Sequence, residues 1–303
     1  MKSYTFPFQI LIFSLIIISC KKEMQLKSEF SKIKESIALH PKENYYDSTQ
    51  SYNKIDKKNV SMQTRSIKQI HPIKTDSGKY HIFFTLDDGP QLPGTQICKN
   101  ILRKNKVKAT FFMVGTHVYG KERQNLIDSI QADSLFIIGN HSDTHAFRNK
   151  FKNFYQSPNV SVTDFITAEN KLCIKNKIAR LPGRNTWAIN KKVKGESSAY
   201  TVAEKLDSIG YSVFGWDVEW RFKNGNIPIE TTNEMIKKIQ TQLKNNKTNM
   251  PGNIVILVHD RMFSKPQYTD SLTKFITILK ENNQYTFETI DKYPLYTFQE
   301  KIN

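Results

Sequence analysis

The feature that most constrains the fold is a regular alternation of apolar, strand-like runs with amphipathic stretches beginning at Lys79. Seven runs are predicted as strands from their length and their branched and aromatic residues: 80–86, 109–114, 135–138, 178–181, 211–216, 254–258 and 285–290. Six stretches between them have helical spacing: 95–104, 122–131, 162–174, 198–209, 232–245 and 269–282. Such alternation implies parallel pairing through right-handed crossovers. We therefore predict an α/β barrel or strongly curved sheet, with a doubly wound sheet as the alternative.

Polar clusters follow five of these strand-like runs. The first, TLDDGP at residues 85–90, ends a strand in two adjacent carboxylates. The others are NHSDTH at 140–145, RLPGR at 180–184, WDVEW at 216–220 and LVHD at 257–260. In both architectures the functional site lies at the carboxyl ends of the strands. The five clusters are therefore expected to form one site.

Two histidines and a carboxylate form a predicted metal site. If the turn after the third strand is helical, the four-residue spacing of His141 and His145 places both imidazoles on one face. Asp88 completes a two-histidine, one-carboxylate set that leaves coordination positions free, as catalytic sites do. Without the carboxylate pair, a surface histidine pair of no function is the competing interpretation.

Further charged residues fit acid–base hydrolysis of an amide or ester. Asp87 is the predicted general base for a water molecule, and His259, from a separate strand, is the predicted general acid. Arg180 and Asp217 lie in apolar surroundings, where buried charges are normally paired. Arg180 is predicted to steady Asp87, and Asp217 to orient His259. A structural ion pair between Arg180 and another acid is the alternative.

In order, and over roughly residues 79–290, the five clusters resemble the motif series of the NodB-homology polysaccharide deacetylases, carbohydrate esterase family 4. TLDDGP is similar to the family's TFDDGP, HSDTH at residues 141–145 matches its second motif, and LVHD at 257–260 matches its last. The resemblance implies a distorted (β/α)7 barrel and a divalent metal, most often Zn²⁺. It also implies the same roles as above: Asp87 as base, His259 as acid, and Asp88, His141 and His145 as metal ligands.

Two motifs depart from the family pattern, which affects expectations about the substrate. The third lacks the usual aromatic–glycine pair, so Trp187 or Arg184 is expected to fill that space, and a backbone N–H there to stabilise an oxyanion. The fourth is shortened to residues 216–220. Trp216 is expected to pack in the core because it lies within a strand. The residues expected to contact substrate are Pro182, Gly183, Trp187, Trp220 and Leu257.

The N-terminus resembles a bacterial lipoprotein signal peptide over residues 1–20. Lys2 precedes an apolar stretch at 6–18 that is short for a membrane span and is followed by Ser19 and Cys20. Cys20 is the expected lipidated residue and mature N-terminus; an ordinary cleaved secretion signal is the alternative. Residues 21–78 are predicted to be a tether with a short helix, or else a folded cap, before a deacetylase domain at 79–295.

The net charge limits the classes of partner that the sequence predicts, and the cysteines limit the possible metal sites and disulfides. The formal net charge is +17, spread along the chain, which favours a basic surface for anionic glycans or lipid headgroups over a nucleic-acid groove. A compositional bias towards Lys and Asn explains the charge equally well. Cys98 and Cys173 lack the spacing of a metal site and are predicted to be buried free thiols rather than a disulfide.

Together these features predict a lipid-anchored, metal-dependent deacetylase of N-acetylated sugars in a bacterial envelope polysaccharide. Its predicted partners are the polysaccharide and a membrane, and not nucleic acid. One alternative is an O-acetyl esterase on acetylated glycans. The other is a glycan-binding surface lipoprotein without activity, which is disfavoured because base, metal ligands and acid are all present.

Overall fold

The computed structural model describes residues 80–294. The predicted signal peptide with Cys20 and the predicted tether at 21–78 lie outside the described residues. The described strands are β1 (Tyr80–Gly89), β2 (Ala109–Met113), β3 (Phe136–Asn140), β4 (Ile178–Ala179), β5 (Thr186–Ile189), β6 (Lys192–Gly195), β7 (Ser212–Val213), β8 (Val218–Glu219), β9 (Phe222–Lys223), β10 (Ile227–Pro228), β11 (Asn253–His259) and β12 (Tyr285–Phe287).

The right-handed helices of the described chain are α1 (Gly94–Lys104), α2 (Gly120–Gln131), α3 (Phe151–Tyr155), α4 (Pro158–Lys171), α5 (Tyr200–Ser208), α6 (Thr232–Lys244) and α7 (Pro266–Glu281). Short 3-10 turns lie at Gly115–His117, Ser197–Ala199, Asp260–Phe263 and Ile290–Lys292. Among the described helices, none has the length and apolar content needed to cross a membrane. Cys98 and Cys173 are both free, as predicted, but only Cys98 is buried, so the prediction that both thiols are buried is wrong for the exposed Cys173.

One ten-stranded sheet in the order β6-β5-β7-β4-β3-β2-β1-β11-β8, with β12 also paired to β1, carries the domain. Its pairs are parallel except where β5 runs antiparallel to β6 and β7. The sheet curls into a half-barrel, and β9 and β10 form a separate antiparallel hairpin. The predicted α/β class and distorted barrel are confirmed.

β1 pairs with three strands, β2, β11 and β12, and its side chains are apolar on both faces, as expected for a buried parallel strand. Ile82, Phe84 and Leu86 pack into one hydrophobic cluster, while Phe83 packs on the opposite face near Tyr293. The alternation follows from the two-residue period of a strand. A strand buried on both faces fixes the register of its neighbours, and this register positions the site.

The seven predicted strands correspond to β1, β2, β3, β4, β7, β11 and β12, and the six predicted helices are all present. Five strands of two to four residues were not predicted, since runs this short carry no measurable periodicity: β5, β6, β8, β9 and β10. α4 begins at Pro158 and α7 at Pro266, earlier than expected in both cases. Proline suits a first helical position because no intrahelical N–H is needed there.

Candidate active site

The strand register brings the predicted base and acid together at the carboxyl edge of the sheet. β1 and β11 run in parallel with Asp87 directly opposite His259. The backbone N–H of His141 donates to the carbonyl of Met113 at 2.9 Å, and that of Arg180 donates to the carbonyl of Asn140 at 3.0 Å. The residues that follow neighbouring strand ends therefore converge on one edge, as the sequence predicts.

An irregularity in β1 lets both of its carboxylates reach this edge. In a regular strand the side chains of Asp87 and Asp88 would point to opposite faces of the sheet. Here the register against β2 shifts between Asp87 and Gly89, and Asp88 has a φ of 73°. That φ lies in the left-handed region that favours glycine, and strained backbone of this kind concentrates at functional sites.

Asp88, His141 and His145, the three predicted metal ligands, lie close together. Oδ1 of Asp88 lies 3.0 Å from Nε2 of His145 and 3.3 Å from Nε2 of His141. The atom is buried and makes no hydrogen bond within residues 80–294. The three ligand atoms lie within 4.8 Å of one another, the one such group found in the described chain. A buried oxygen left without a donor, facing two ring nitrogens, is the arrangement expected around a cation.

The other ring nitrogens orient both imidazoles for ligation. Nδ1 of His141 lies 3.0 Å from the carbonyl oxygen of Arg180, and Nδ1 of His145 lies 2.5 Å from Oδ1 of Asn149. A carbonyl oxygen only accepts, so each Nδ1 carries the hydrogen and each Nε2 presents its lone pair towards Asp88. The donor set therefore fits a divalent cation such as Zn²⁺.

The electrostatics of the site keep the Asp88 carboxylate charged. Burial acts to raise the pKa of Asp88, but the nearby imidazoles of His141 and His145 hold that pKa well below its usual range. Burial also acts to lower the pKa of His145, and the Asp88 carboxylate outweighs it, so the pKa of His145 is raised. Asp88 is thus an anion over the physiological range, as a cation ligand must be.

The helical turn predicted between the two histidines is wrong. Residues 141–144 form a loop, and His145–Asn149 is a single left-handed turn with φ between 48° and 66°. The carboxylate of Asp164 fixes this loop by accepting the backbone N–H groups of Asp143 at 2.9 Å and Thr144 at 3.1 Å. Side-chain hydrogen bonds to the backbone, and not helical periodicity, bring the two imidazoles together.

Arg180 holds Asp87, as predicted. Its guanidinium is fully buried, and Nη1 donates to Oδ1 of Asp87 at 2.9 Å and to Oγ1 of Thr85 at 2.6 Å. Nε and Nη2 donate to the carbonyls of Phe214 at 3.1 Å and Gly215 at 2.9 Å. Burial lowers the pKa of Arg180, but a guanidinium remains charged in proteins. The arginine thus fixes one carboxylate oxygen and leaves Oδ2 of Asp87 for other chemistry.

The predicted contact between Asp217 and His259 is wrong. The carboxylate of Asp217 accepts the backbone N–H groups of Asn249 at 2.5 Å and Val255 at 2.7 Å, and burial raises its pKa to about 6. Nδ1 of His259 is buried without a hydrogen-bond partner among residues 80–294. The ring of Phe222 packs edge-on against the imidazole of His259 at 4.8 Å instead. Asp217 therefore braces a loop against β11 and does not orient the acid.

The predicted substrate contacts of Trp187 and Trp220 are also wrong, because both indoles are buried. Trp220 is fully buried, and its Nε1–H donates to the carbonyl of Glu230 at 2.7 Å. Trp187 is 5% exposed and packs beside Tyr293, whereas Trp216, expected in the core, is half-buried. These predictions failed because the strands beside the indoles, β5 and β8, are too short to leave a signal in the sequence.

The remaining residues predicted to contact the substrate differ in their exposure to solvent. Leu257 is buried within β11, and Pro182 is buried with its carbonyl accepting the Tyr155 hydroxyl at 2.6 Å. Gly183 is exposed with a φ of 61°, and a side chain there would collide with Phe151. The guanidinium of Arg184 lies over the same ring at 5.5 Å, so Arg184, and not Trp187, lies at the surface beside it.

Several contacts with Asp88 were not predicted from the sequence. His117 places Nδ1 2.7 Å from the carbonyl oxygen of Asp88, and Nη1 of Arg261 lies 2.9 Å from Oδ2 of Asp88. Nε2 of His259 lies 3.9 Å from the same Oδ2. His117 follows the end of β2, and Arg261 follows the LVHD motif directly. Because functional residues gather after strand ends in α/β proteins, the positions of both residues could have been used to predict them.

The comparisons with known proteins agree with this geometry. Residues 74–190 match the sequence profile of the family described as polysaccharide deacetylase. The peptidoglycan-N-acetylglucosamine deacetylase of Bacillus cereus is 29% identical over 68% of this chain and 67% of the relative. The chitin disaccharide deacetylase of Vibrio alginolyticus is 24% identical over 77% of this chain and 76% of the relative.

A solved structure, a CE4 esterase from Streptococcus mutans, has the same fold. Its TM-score is 0.53 at 21% identity, and the similarity covers 70% of this chain and 86% of that one. The family profile ends before β7, so the match includes Asp87, Asp88, His141, His145 and Arg180 but not His259. Profile, relatives and fold agree that residues 74–190 match a polysaccharide deacetylase domain, and the relatives support a hydrolase of carbon–nitrogen bonds in polysaccharide.

Proposed function

We propose that this protein is a metal-dependent deacetylase that removes N-acetyl groups from N-acetylglucosamine-type sugars of an envelope or extracellular polysaccharide. The observation that carries the proposal is the convergence of a free carboxylate oxygen, a metal-ligand triad and a third imidazole on one sheet edge. Two relatives are named as deacetylases of chitin disaccharide and of peptidoglycan N-acetylglucosamine, and these names support the same class of sugar.

The cation would be held by Asp88, His141 and His145, with Zn²⁺ as the expected ion. When bound, it would supply Lewis acidity towards the acetyl carbonyl and the attacking water. Asp88 contributes the charge, and the Nδ1 hydrogen bonds of the two histidines keep both rings oriented.

Asp87 and His259 divide the proton transfers. Oδ1 of Asp87 is occupied by Arg180, so Oδ2 is the atom that takes a proton from the attacking water. His259, opposite Asp87 on β11, gives a proton to the departing amine through Nε2. Burial lowers the pKa of His259, so its imidazolium, once formed, is a stronger acid than that of an exposed histidine. Phe222 packs against the ring and restricts its rotation.

We also propose that the protein works in the bacterial cell envelope, exported and lipid-anchored to a membrane through Cys20. The apolar stretch at 6–18, followed by a serine and a cysteine, supports this proposal. Metabolic labelling with a clickable fatty acid tests it, with Cys20→Ser as the control. Labelling of the wild type alone is the expected result, and equal labelling of the two would overturn the anchor.

The activity is tested by measuring acetate and free amine in parallel, with Zn²⁺ and after chelation. The panel contains N-acetylglucosamine oligomers, peptidoglycan and acetylated xylan. We expect acetate and primary amine in equal amounts from the amino-sugar polymers, lost on chelation and restored by Zn²⁺. Acetate from xylan without amine from any polymer would identify an O-acetyl esterase instead.

A further inference from the structure

A wholly polar pocket adjoins the metal triad. Its volume is about 370 Å³, and every lining residue is polar or charged. Asp88 and His145 form its floor, and two arginines, Arg148 and Arg261, line it with His117. An acetyl methyl group and a neutral sugar ring do not require two guanidinium groups beside the reacting amide. The residues of this pocket therefore favour a negatively charged ligand.

Arg261 is held in one orientation by two contacts. Its guanidinium stacks over the ring of Phe222 at 4.7 Å, and Nη1 lies 2.9 Å from Oδ2 of Asp88. Nε is buried and has no hydrogen-bond partner among residues 80–294, so the terminal nitrogens are the atoms that can reach a ligand. A planar guanidinium held in this way is preorganised for a carboxylate or phosphate.

Arg148 extends the positive charge to the pocket mouth. It is exposed, lies three residues after His145 in the left-handed turn, and forms no salt bridge within the described part of the chain. Because that turn has positive φ throughout, Arg148 leaves the backbone in a direction that a right-handed helix would not give it. The pocket therefore has one cationic group on each of two separate loops.

The charge balance favours an anionic ligand. Two guanidiniums and the single carboxylate of Asp88 give the lining a formal charge of +1. A divalent cation on Asp88 would raise this to +3, in a pocket without other carboxylates. A neutral sugar leaves that charge uncompensated, whereas a carboxylate on the substrate offsets part of it.

We propose that Arg148 and Arg261 form an anion subsite that binds a carboxylate of the substrate close to the acetamido group. The inference rests on the proposed deacetylase function and narrows its substrate to acidic N-acetylated glycans. Arg261 touches Asp88, so the carboxylate lies within about one sugar ring of the reacting amide. It belongs either to an ether substituent on the acetylated sugar or to a neighbouring uronic acid.

The test compares kcat/KM on acidic and neutralised forms of the same glycan. Peptide-free peptidoglycan strands carry ether-linked carboxylates, and an oligosaccharide alternating N-acetylglucosamine with a uronic acid carries them on the neighbouring ring. Each is assayed beside its carboxyl-amidated form and beside neutral N-acetylglucosamine tetramer. We expect at least about a tenfold preference for one acidic form over its amide, weakened by added salt. The preferred acidic form identifies the source of the carboxylate.

Variants connect the preference to the two arginines. Arg148→Gln and Arg261→Gln are each expected to reduce the acid-to-amide ratio severalfold. The matched control is Lys244→Gln, which removes one exposed charge at the end of α6 from a residue that does not line the pocket. Its ratio is expected to equal that of the wild type.

Two results would overturn the subsite: equal rates on acidic and amidated glycans by the wild type, or an unchanged ratio in both arginine variants. Both leave the deacetylase function standing, because the tetramer is still turned over. Calorimetric binding of the acidic and amidated glycans to Asp87→Asn adds a readout that needs no turnover. Tighter binding of the acidic form supports the subsite even if every activity assay fails, and equal binding refutes it.

Discussion

At the scale of the residue, the site depends on two adjacent carboxylates in different surroundings. Asp87 accepts a hydrogen bond from a buried arginine, while Asp88 faces two imidazoles and a second arginine. Neighbouring acids placed in unlike environments take different chemical roles. The left-handed backbone at Asp88 makes the separation possible, because it turns one carboxylate away from the ordinary alternation of the strand.

Loss of one triad imidazole is the first prediction. His141→Ala is expected to weaken Zn²⁺ binding at least about 100-fold, since even outer partners of metal ligands matter by about 10- to 100-fold. Calorimetric titration measures the affinity. His81→Ala is the control because His81 lies near the start of β1, six residues from Asp87. Unchanged Zn²⁺ affinity in His141→Ala would remove this histidine from the metal site.

At the scale of the element, loops and short turns determine where the side chains meet. The left-handed turn at His145–Asn149 and the 3-10 turn at Asp260–Phe263 both follow strand ends and both carry site residues. Long helices, by contrast, follow their sequence signals closely. α6 begins at a complete capping box, in which Thr231 and Glu234 satisfy each other's backbone N–H groups.

The capping box gives a prediction for stability. Thr231→Ala removes the hydroxyl that accepts the N–H of Glu234, and is expected to lower the free energy of unfolding by about 1 kcal/mol. Chemical denaturation measures the change. Thr241→Ala, an exposed substitution later in the same helix, is the control and is expected to change it by less than about 0.5 kcal/mol. Equal effects would mean that the cap contributes nothing.

The turn after β11 gives a prediction of how the stability of the fold depends on pH. Burial raises the pKa of Asp260 to about 8, while the Thr95 hydroxyl donates to one oxygen and the other is unsatisfied. The unfolded chain releases this proton near pH 4. Between about pH 4 and 8 the folded state therefore binds more protons than the unfolded state. The stability from this group is complete below about pH 4 and is lost as pH rises through about 8.

Asp260→Asn is expected to flatten that decline, since a neutral amide has no proton to lose. Denaturation of the metal-free protein from pH 5 to 9 measures it, with Asp270→Asn, at an exposed position in α7, as the control. The wild type and the control should lose stability across this range while Asp260→Asn loses less. Parallel curves for all three proteins would show that Asp260 is not protonated in the fold.

At the scale of the whole molecule, the sequence predicts the parts that depend on order along the chain. Parallel α/β topology follows from alternation, and the meeting of Asp87 with His259 follows from two strands ending at one edge. The orientation of Asp217 and Trp220 was not predictable in this way. It depends on short strands and on backbone groups of distant loops, which come together only in the folded chain.

Asp87 is the base of the proposed metal-dependent N-deacetylase, and a comparison of the wild type with Asp87→Asn isolates that role. Acetate and amine release from N-acetylglucosamine oligomers is measured for both proteins, after both are shown to bind Zn²⁺ equally and to unfold at similar temperatures. We expect turnover by the wild type and a loss of about 10²- to 10⁴-fold in kcat for the variant. If the variant binds Zn²⁺ and deacetylates at the wild-type rate, Asp87 is not the base.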